Sequence, residues 1–593
     1  MVADSKIRSE RHWKTTKLVN RVQSLLLFAV AGLALCMSGL HAQVEAPESP
    51  HVNQGIELLR ARDYPGALKE FEAASTLNPK SAQVYAWLGI TQNQLSEFAQ
   101  AAKSFQSALR LDPSLLSAHY NYAHTLVELG DLQGAIREFT AVVKINPSVL
   151  EVQYNLAVLL SQAGRYSDAA EHFEIVHEKQ PSDAAASARL ADCYFHTSRP
   201  DQARQLVANL QPASLDPTTA ALLASDLIES GSYSQAASIL TASNTFSASL
   251  PGKLLLAKAY LGDNQPNSAI QVLQSSTDTS AQLSYLLGLA YLSSHQSERA
   301  LSAFRTAAAA DPKDALARYH VGVLLLQDAS PDIQRQGAEE LQTSIQLMPR
   351  QSASYEALAK WQLRTNQAGA ALALLQNAAR SAKPTTQATL LRGLAQASVH
   401  GTDAARPIIE QAIALDPHIA LAHNVLGFCY FRAGDYPRAS ESYAEALRLE
   451  PANGLFAYDV ALALEKQNKI AEAIPFAEKA AAATPPPPSA HYLLGKLYAK
   501  AGKLVDAIHE LEVAIQLNPS MPYPYYLLAR TYMQNGDAQK AQEWNTRFQD
   551  LKRDQDKSSV LGPPSSGSAD DLAPSLNITR PLDAALPASS KTQ

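Results

Sequence analysis

Residues 154–181, YNLAVLLSQAGRYSDAAEHFEIVHEKQP, hold two amphipathic runs separated by a Gly-containing break and closed by Pro. Apolar positions recur every three or four residues in each run, which predicts two helices of three to four turns joined as a hairpin. The same outline returns along the chain. Prolines stand at 79, 113, 147 and 181, and again at 417, 451, 485 and 519, always 34 residues apart. A small residue lies 24 places before each Pro (Gly55, Gly89, Ala123, Ala157; Gly393, Gly427, Ala461, Gly495), and Ala lies 12 places before. A bulkier residue usually stands 8 places before: Phe71, Phe105, Phe139 and Phe173, then Ile409, Tyr443, Ala477 and Leu511. Small positions let two helices approach closely while the aromatic fills the remaining space. One such hairpin cannot bury its apolar faces alone, so neighbours must stack.

This pattern resembles the tetratricopeptide repeat family, whose signature has a 34-residue period with W-x2-L-G-x2-Y followed by Ala, Phe and Pro. YAWLGITQ with AAKSF and Pro113, YLLGLAY with ALSAF and Pro312, and HYLLGKLY with DAIHEL and Pro519 carry the resemblance. It covers residues 48 to about 550 and implies an all-α fold, an α-solenoid superhelix of about fifteen stacked helical hairpins. The expected organisation is an N-terminal array over 48–214, degenerate repeats acting as a hinge over 215–280, and a C-terminal array over 281–552. The spacing lengthens to 37 around PDIQRQ (331–336). Residues 553–593, rich in Ser, Pro and Gly, predict a disordered tail.

Residues 1–42 differ from the rest. Lys6, Arg8, Arg11, Lys14, Lys17 and Arg21 precede the apolar run LLLFAVAGLALC, and small residues surround Ala42. That outline predicts an export signal cleaved near Ala42, followed by a short linker at 43–47; an inner-membrane anchor over 25–40 is the alternative. The expected location is periplasmic or secreted. Removing the signal shifts the net charge from −6 to −10, and an acidic body argues against nucleic acid as a partner. Membrane contact is expected only through an uncleaved N-terminal segment.

No catalytic site, cofactor or metal site is expected, because the chain has no Gly-rich phosphate loop, HExxH, GxSxG or paired CxxC. His172 and His177 fall on different faces of one helix and are expected at a solvated surface. His51, His119, His423 and His491 share one repeat position and read as rings packed at the helix surface. Cys193 and Cys429 lie seven repeats apart, too far for a disulfide, and read as small buried residues.

The resemblance implies that ligands lie in a concave groove lined by the first helix of each repeat. Tyr120, Tyr154, Tyr285, Tyr319, Tyr458, Tyr492 and Tyr526 share one phase there and are candidate peptide contacts. Asn121 and Asn155 resemble two rungs of the asparagine ladder in O-GlcNAc transferase repeats. Lys466, Lys496, Lys500 and Arg530, with Arg364 and Arg432, predict a cationic trough suited to acidic or C-terminal segments. The reading is a non-enzymatic scaffold for proteins or peptides in the cell envelope. The alternatives are an accessory of a polysaccharide or protein export machine and a substrate-selecting partner of a separate enzyme.

Overall fold

A computed structural model describes residues 50–242, 247–487 and 489–559, with side chains through Arg553. Thirty α-helices and one 3-10 turn, Pro212–Ser214, account for its regular structure, and the helices pair into fifteen hairpins among the described residues. The fold is the all-α solenoid that the period predicts. The expected export segment, the linker at 43–47 and residues 560–593 lie outside the described residues. The C-terminal helix, Ala538–Ser559, runs past residue 553, where the tail was expected to begin.

Local chemistry marks the helix ends. At the Gly break the chain turns through a left-handed residue, as at Gly130 with φ 78°. Asp131 then caps the second helix, its Oδ1 accepting from the Gly134 N–H at 2.9 Å. Elsewhere non-glycines take the left-handed turn, including Ser96 at φ 62° and His295 at φ 59°. Some first helices are capped after the repeat-ending Pro: Asp183 Oδ1 accepts from the N–H groups of Ala185 and Ala186 at 2.9 and 3.0 Å.

Packing follows from one contact. Each second helix buries a narrow stripe, such as Ala101, Phe105 and Ala108 on Phe98–Leu111. The first helix Ala82–Gln94 is instead buried around most of its girth, from Val84 through Thr91. Phe105 is fully enclosed, and a Cβ built on Gly89 would stand 2.7 Å from its ring. Gly55 meets Phe71, Gly288 meets Phe304 and Gly427 meets Tyr443 in the same way. Rings also link successive hairpins: Phe71 stacks on Trp87 with centroids 5.9 Å apart.

The chain divides into two compact units. One comprises the residues up to Asp278 together with Leu289–Gln296; the other comprises Thr279–Gly288 together with the residues from Ser297. The helix Ala281–Ser293 contributes to both. Within 215–280 the helices Pro217–Glu229, Tyr233–Ala242, Leu250–Gly262 and Pro266–Gln274 still form hairpins. The second helix Pro266–Gln274 has 9 residues, as does Pro200–Ala208 before this segment. The longer spacing near 331 is absorbed by Pro331–Leu347, a second helix of 17 residues.

Two substitutions test this packing. Gly89→Val should lower the unfolding free energy by about 1–3 kcal/mol, because the added methyls have no space against Phe105. Ser96→Gly should raise it by about 1 kcal/mol by relieving the left-handed turn. Urea denaturation followed by circular dichroism reads both.

Candidate functional site

The seven tyrosines do not make one open stripe. Tyr120 is fully enclosed; its hydroxyl donates to Glu151 Oε1 at 2.8 Å, and its ring meets Phe139 edge-on at 6.1 Å. Tyr458 and Tyr492 are buried too. These three pack helices together, because a ring at this phase fills the gap between a first helix and its neighbours. Tyr154, Tyr285 and Tyr319 are half-buried. Tyr154 sits edge-on to Phe173 at 5.5 Å, and Tyr285 Oη lies 3.4 Å from His320 Nε2. Tyr526 is 49% exposed, on Pro522–Gln534 of the last described hairpin.

The predicted cationic trough also changes. Lys466, Arg530, Arg364 and Arg432 are exposed. Lys496 and Lys500 instead converge on Glu465, whose side chain is buried; the Lys496 ammonium stands 3.0 Å away. Burial alone would raise the Glu465 carboxyl, but hydrogen bonds and charge from Lys500 and Lys496 outweigh it and hold the group below the ordinary carboxylate value. Glu465 thus offsets one of the two ammonium charges and fixes the position of both lysines.

Several histidines are braces. His51, His119 and His491 reach from first to second helix of their hairpins, with Nδ1 2.7, 2.6 and 2.8 Å from Glu70, Glu138 and Glu510. One period after His119 and Glu138 the pair is reversed, with His172 Nδ1 2.6 Å from Gln153 Oε1. His177 Nδ1 lies 2.8 Å from Ser187 Oγ. Neither His172 nor His177 is simply solvated, since each meets a polar residue of a neighbouring helix. Cys193 and Cys429 are buried free thiols.

A line of polar groups in the first unit was read in the sequence only at Asn155. It follows three consecutive first helices, Leu150–Gln162, Ala184–His196 and Pro217–Glu229. Asn121, one repeat earlier, spends its amide on its own helix, donating to Ser117 O at 2.8 Å. Asn155 Nδ2, Arg189 Nε and Asp226 Oδ2 are buried with no hydrogen-bond partner within the protein, and Asp192 Oδ1, also buried, faces His196 Nδ1 at 3.3 Å. Native folds pair nearly all such atoms, so three without partners along one line are unusual. Burial, with Asp192 beside it, pushes the Asp226 carboxyl well above the ordinary range. His196 Nδ1 lies 3.0 Å from Asp192 O, and its ring stacks on Tyr166 at 4.2 Å. The available signal was that Asp192 and Asp226 stand one 34-residue period apart, which faces them across adjacent repeats. Asn155 and Arg189 supply donors and the aspartates supply acceptors, an arrangement suited to an extended polypeptide.

The tetratricopeptide repeat pattern matches residues 52–115, 94–149, 120–176, 285–332, 398–453 and 430–489, and a second version of it matches 160–225. Together these matches span more than half of the 593 residues, and the chain belongs to the tetratricopeptide repeat family. Residues 466–543 also match the pattern of anaphase-promoting complex, cyclosome, subunit 3. No curated protein matches the chain. Among solved structures it is similar to the APC/C hetero-tetramer Cut9-Hcn1, 16% identical over 84% of this chain and 98% of that one, with a TM-score of 0.34. It is also similar to Naa15/Naa10 bound to HypK-THB, 16% identical over 87% and 79% at a TM-score of 0.31. Yeast Tom70 is 14% identical over 67% and 91%, also at 0.31. Scores this low carry no argument about function. Among the described residues no helix is long and apolar enough to cross a membrane.

Burial sets a pH dependence. It pushes His124 and His320 down to about 4, His124 edge-on to Phe139 at 5.1 Å and His320 stacked on Phe304 at 4.6 Å. The unfolded chain takes up protons near pH 6.5 that these buried rings resist. Their contribution is therefore whole above pH 6.5 and is lost as pH falls toward about 4, by roughly 3 kcal/mol for each ring. Thermal denaturation between pH 7.5 and 4.5 should show a falling midpoint that His124→Phe with His320→Phe flattens.

Proposed function

We propose that the protein is a non-enzymatic scaffold that holds extended protein or peptide segments along the first helices of its N-terminal unit. The observation that carries this reading is the line of buried polar groups from Asn155 through Arg189 to Asp192 and Asp226, in which Asn155 Nδ2, Arg189 Nε and Asp226 Oδ2 have no hydrogen-bond partner. Half-buried Tyr154 adds an apolar face beside Asn155. A ligand backbone offers both carbonyl acceptors and N–H donors, so once these buried side chains swing outward it can satisfy the amide and guanidinium at one end and the carboxylates at the other. The exposed Tyr526, Arg530 and Met533, spaced along one face of Pro522–Gln534, form a second contact surface in the other unit, suited to an acidic segment.

The proposed setting is the cell envelope, on the strength of the cationic and apolar pattern of residues 1–42. N-terminal sequencing of the mature protein tests it: a start near Gln43 supports export with cleavage, whereas retention of residues 25–40 supports an anchor.

Binding is tested with peptides selected from a random display library on the whole chain, their affinities measured by fluorescence anisotropy. Asn155→Ala with Arg189→Ala should weaken binding at least tenfold while the helical circular dichroism is unchanged. Peptides that bind this variant as tightly as the wild type would contradict the proposed site.

A further inference from the structure

The first unit also brings together Asp192, His196 and Asp226. Each offers one donor atom, and the three atoms lie within 4.8 Å of one another. Asp192 and Asp226 are 2% and 8% exposed; Asp226 Oδ2 has no hydrogen-bond partner in the protein, and Asp192 Oδ1 lies 3.3 Å from His196 Nδ1. Asp192 and His196 are four residues apart on one helix, hence on one face, and Asp226 comes from the first helix of the next repeat. We infer that these three side chains form a site for one divalent first-row transition-metal ion.

The surroundings favour a cation. The charges acting on Asp226 are those of Asp192 and Glu229, so acid is added to acid in a buried place. Two carboxylates side by side there need either a shared proton or a positive ion between them. One imidazole nitrogen with two carboxylates is a donor set that Zn2+ and its neighbours accept, with bonds of about 2.0–2.2 Å. Reaching those bonds from the observed spacing takes a modest contraction of three side chains. Tyr166 already fixes the plane of the His196 ring by stacking on it with an interplanar angle of 16°. The His196 side chain is 36% exposed, which gives the ion an entry path. The bound ion would tie the two repeats together, since its ligands come from both. The site shares Asp192 and Asp226 with the peptide-binding reading, and the titrations below contain no peptide, so either reading can fail without the other.

Isothermal titration calorimetry with ZnCl2 on the whole chain tests the site, with Asp226→Asn, His196→Ala and, as a control away from the cluster, His119→Ala. The expected result is one saturable site per chain, weakened at least tenfold by Asp226→Asn and by His196→Ala and unchanged by His119→Ala. Adding Co2+ to the wild type should give visible d–d absorption that His196→Ala abolishes. Absence of saturable binding, or binding that Asp226→Asn leaves intact, would overturn the proposal and assign the carboxylates to a shared proton.

Discussion

The seat of a bulky side chain on a small one governs this molecule. Phe105 lies so close to Gly89 that a Cβ there would stand 2.7 Å from the ring, and Gly55 with Phe71 and Gly288 with Phe304 repeat the arrangement. The contact fixes how near the two helices of a hairpin come. It also leaves each second helix with only a narrow buried stripe, too little apolar burial for a hairpin to stand alone. Stability must then come from neighbours, which is why first helices such as Ala82–Gln94 are buried around most of their girth. Where the pair is Ala123 with Phe139 the ring is kept, and where it is Ala461 with Ala477 both partners are small; all four are buried. The architecture tolerates these exchanges because each hairpin repacks against only two others.

That contact is also why the fold was legible. A small residue and a large one sixteen positions apart, repeated with the prolines, leave a mark that period counting finds. Side-chain roles left a weaker mark. Tyr120 and Tyr526 share a repeat phase, yet one is fully enclosed and the other 49% exposed. The difference lies in the next repeat: Glu151 reaches Tyr120 from the following hairpin, and no described hairpin follows Tyr526. Lys496 and Lys500 likewise looked like free cations because the carboxylate that holds them, Glu465, belongs to the preceding hairpin. Repeat phase says which turn of a helix a residue occupies, while its partner is decided by residues one period away. Applied to charges, that rule would have found Asp192 and Asp226.

The polar line along Leu150–Gln162, Ala184–His196 and Pro217–Glu229 brings buried polar groups onto three consecutive first helices. Buried polar atoms without partners cost stability, and a repeat protein could readily replace them with Ala or Leu. Their presence on consecutive first helices is the kind of local violation expected where structure serves binding. Family membership supports the general role of a scaffold, and the chemistry of these residues gives that role a place.

The most direct measurement is hydrogen–deuterium exchange on the whole chain with and without a bound peptide selected on it. The account predicts slowed exchange in Leu150–Gln162, Ala184–His196 and Pro217–Glu229, with the second helices of the same hairpins unchanged. Protection confined to second helices, or to the C-terminal unit alone, would contradict it.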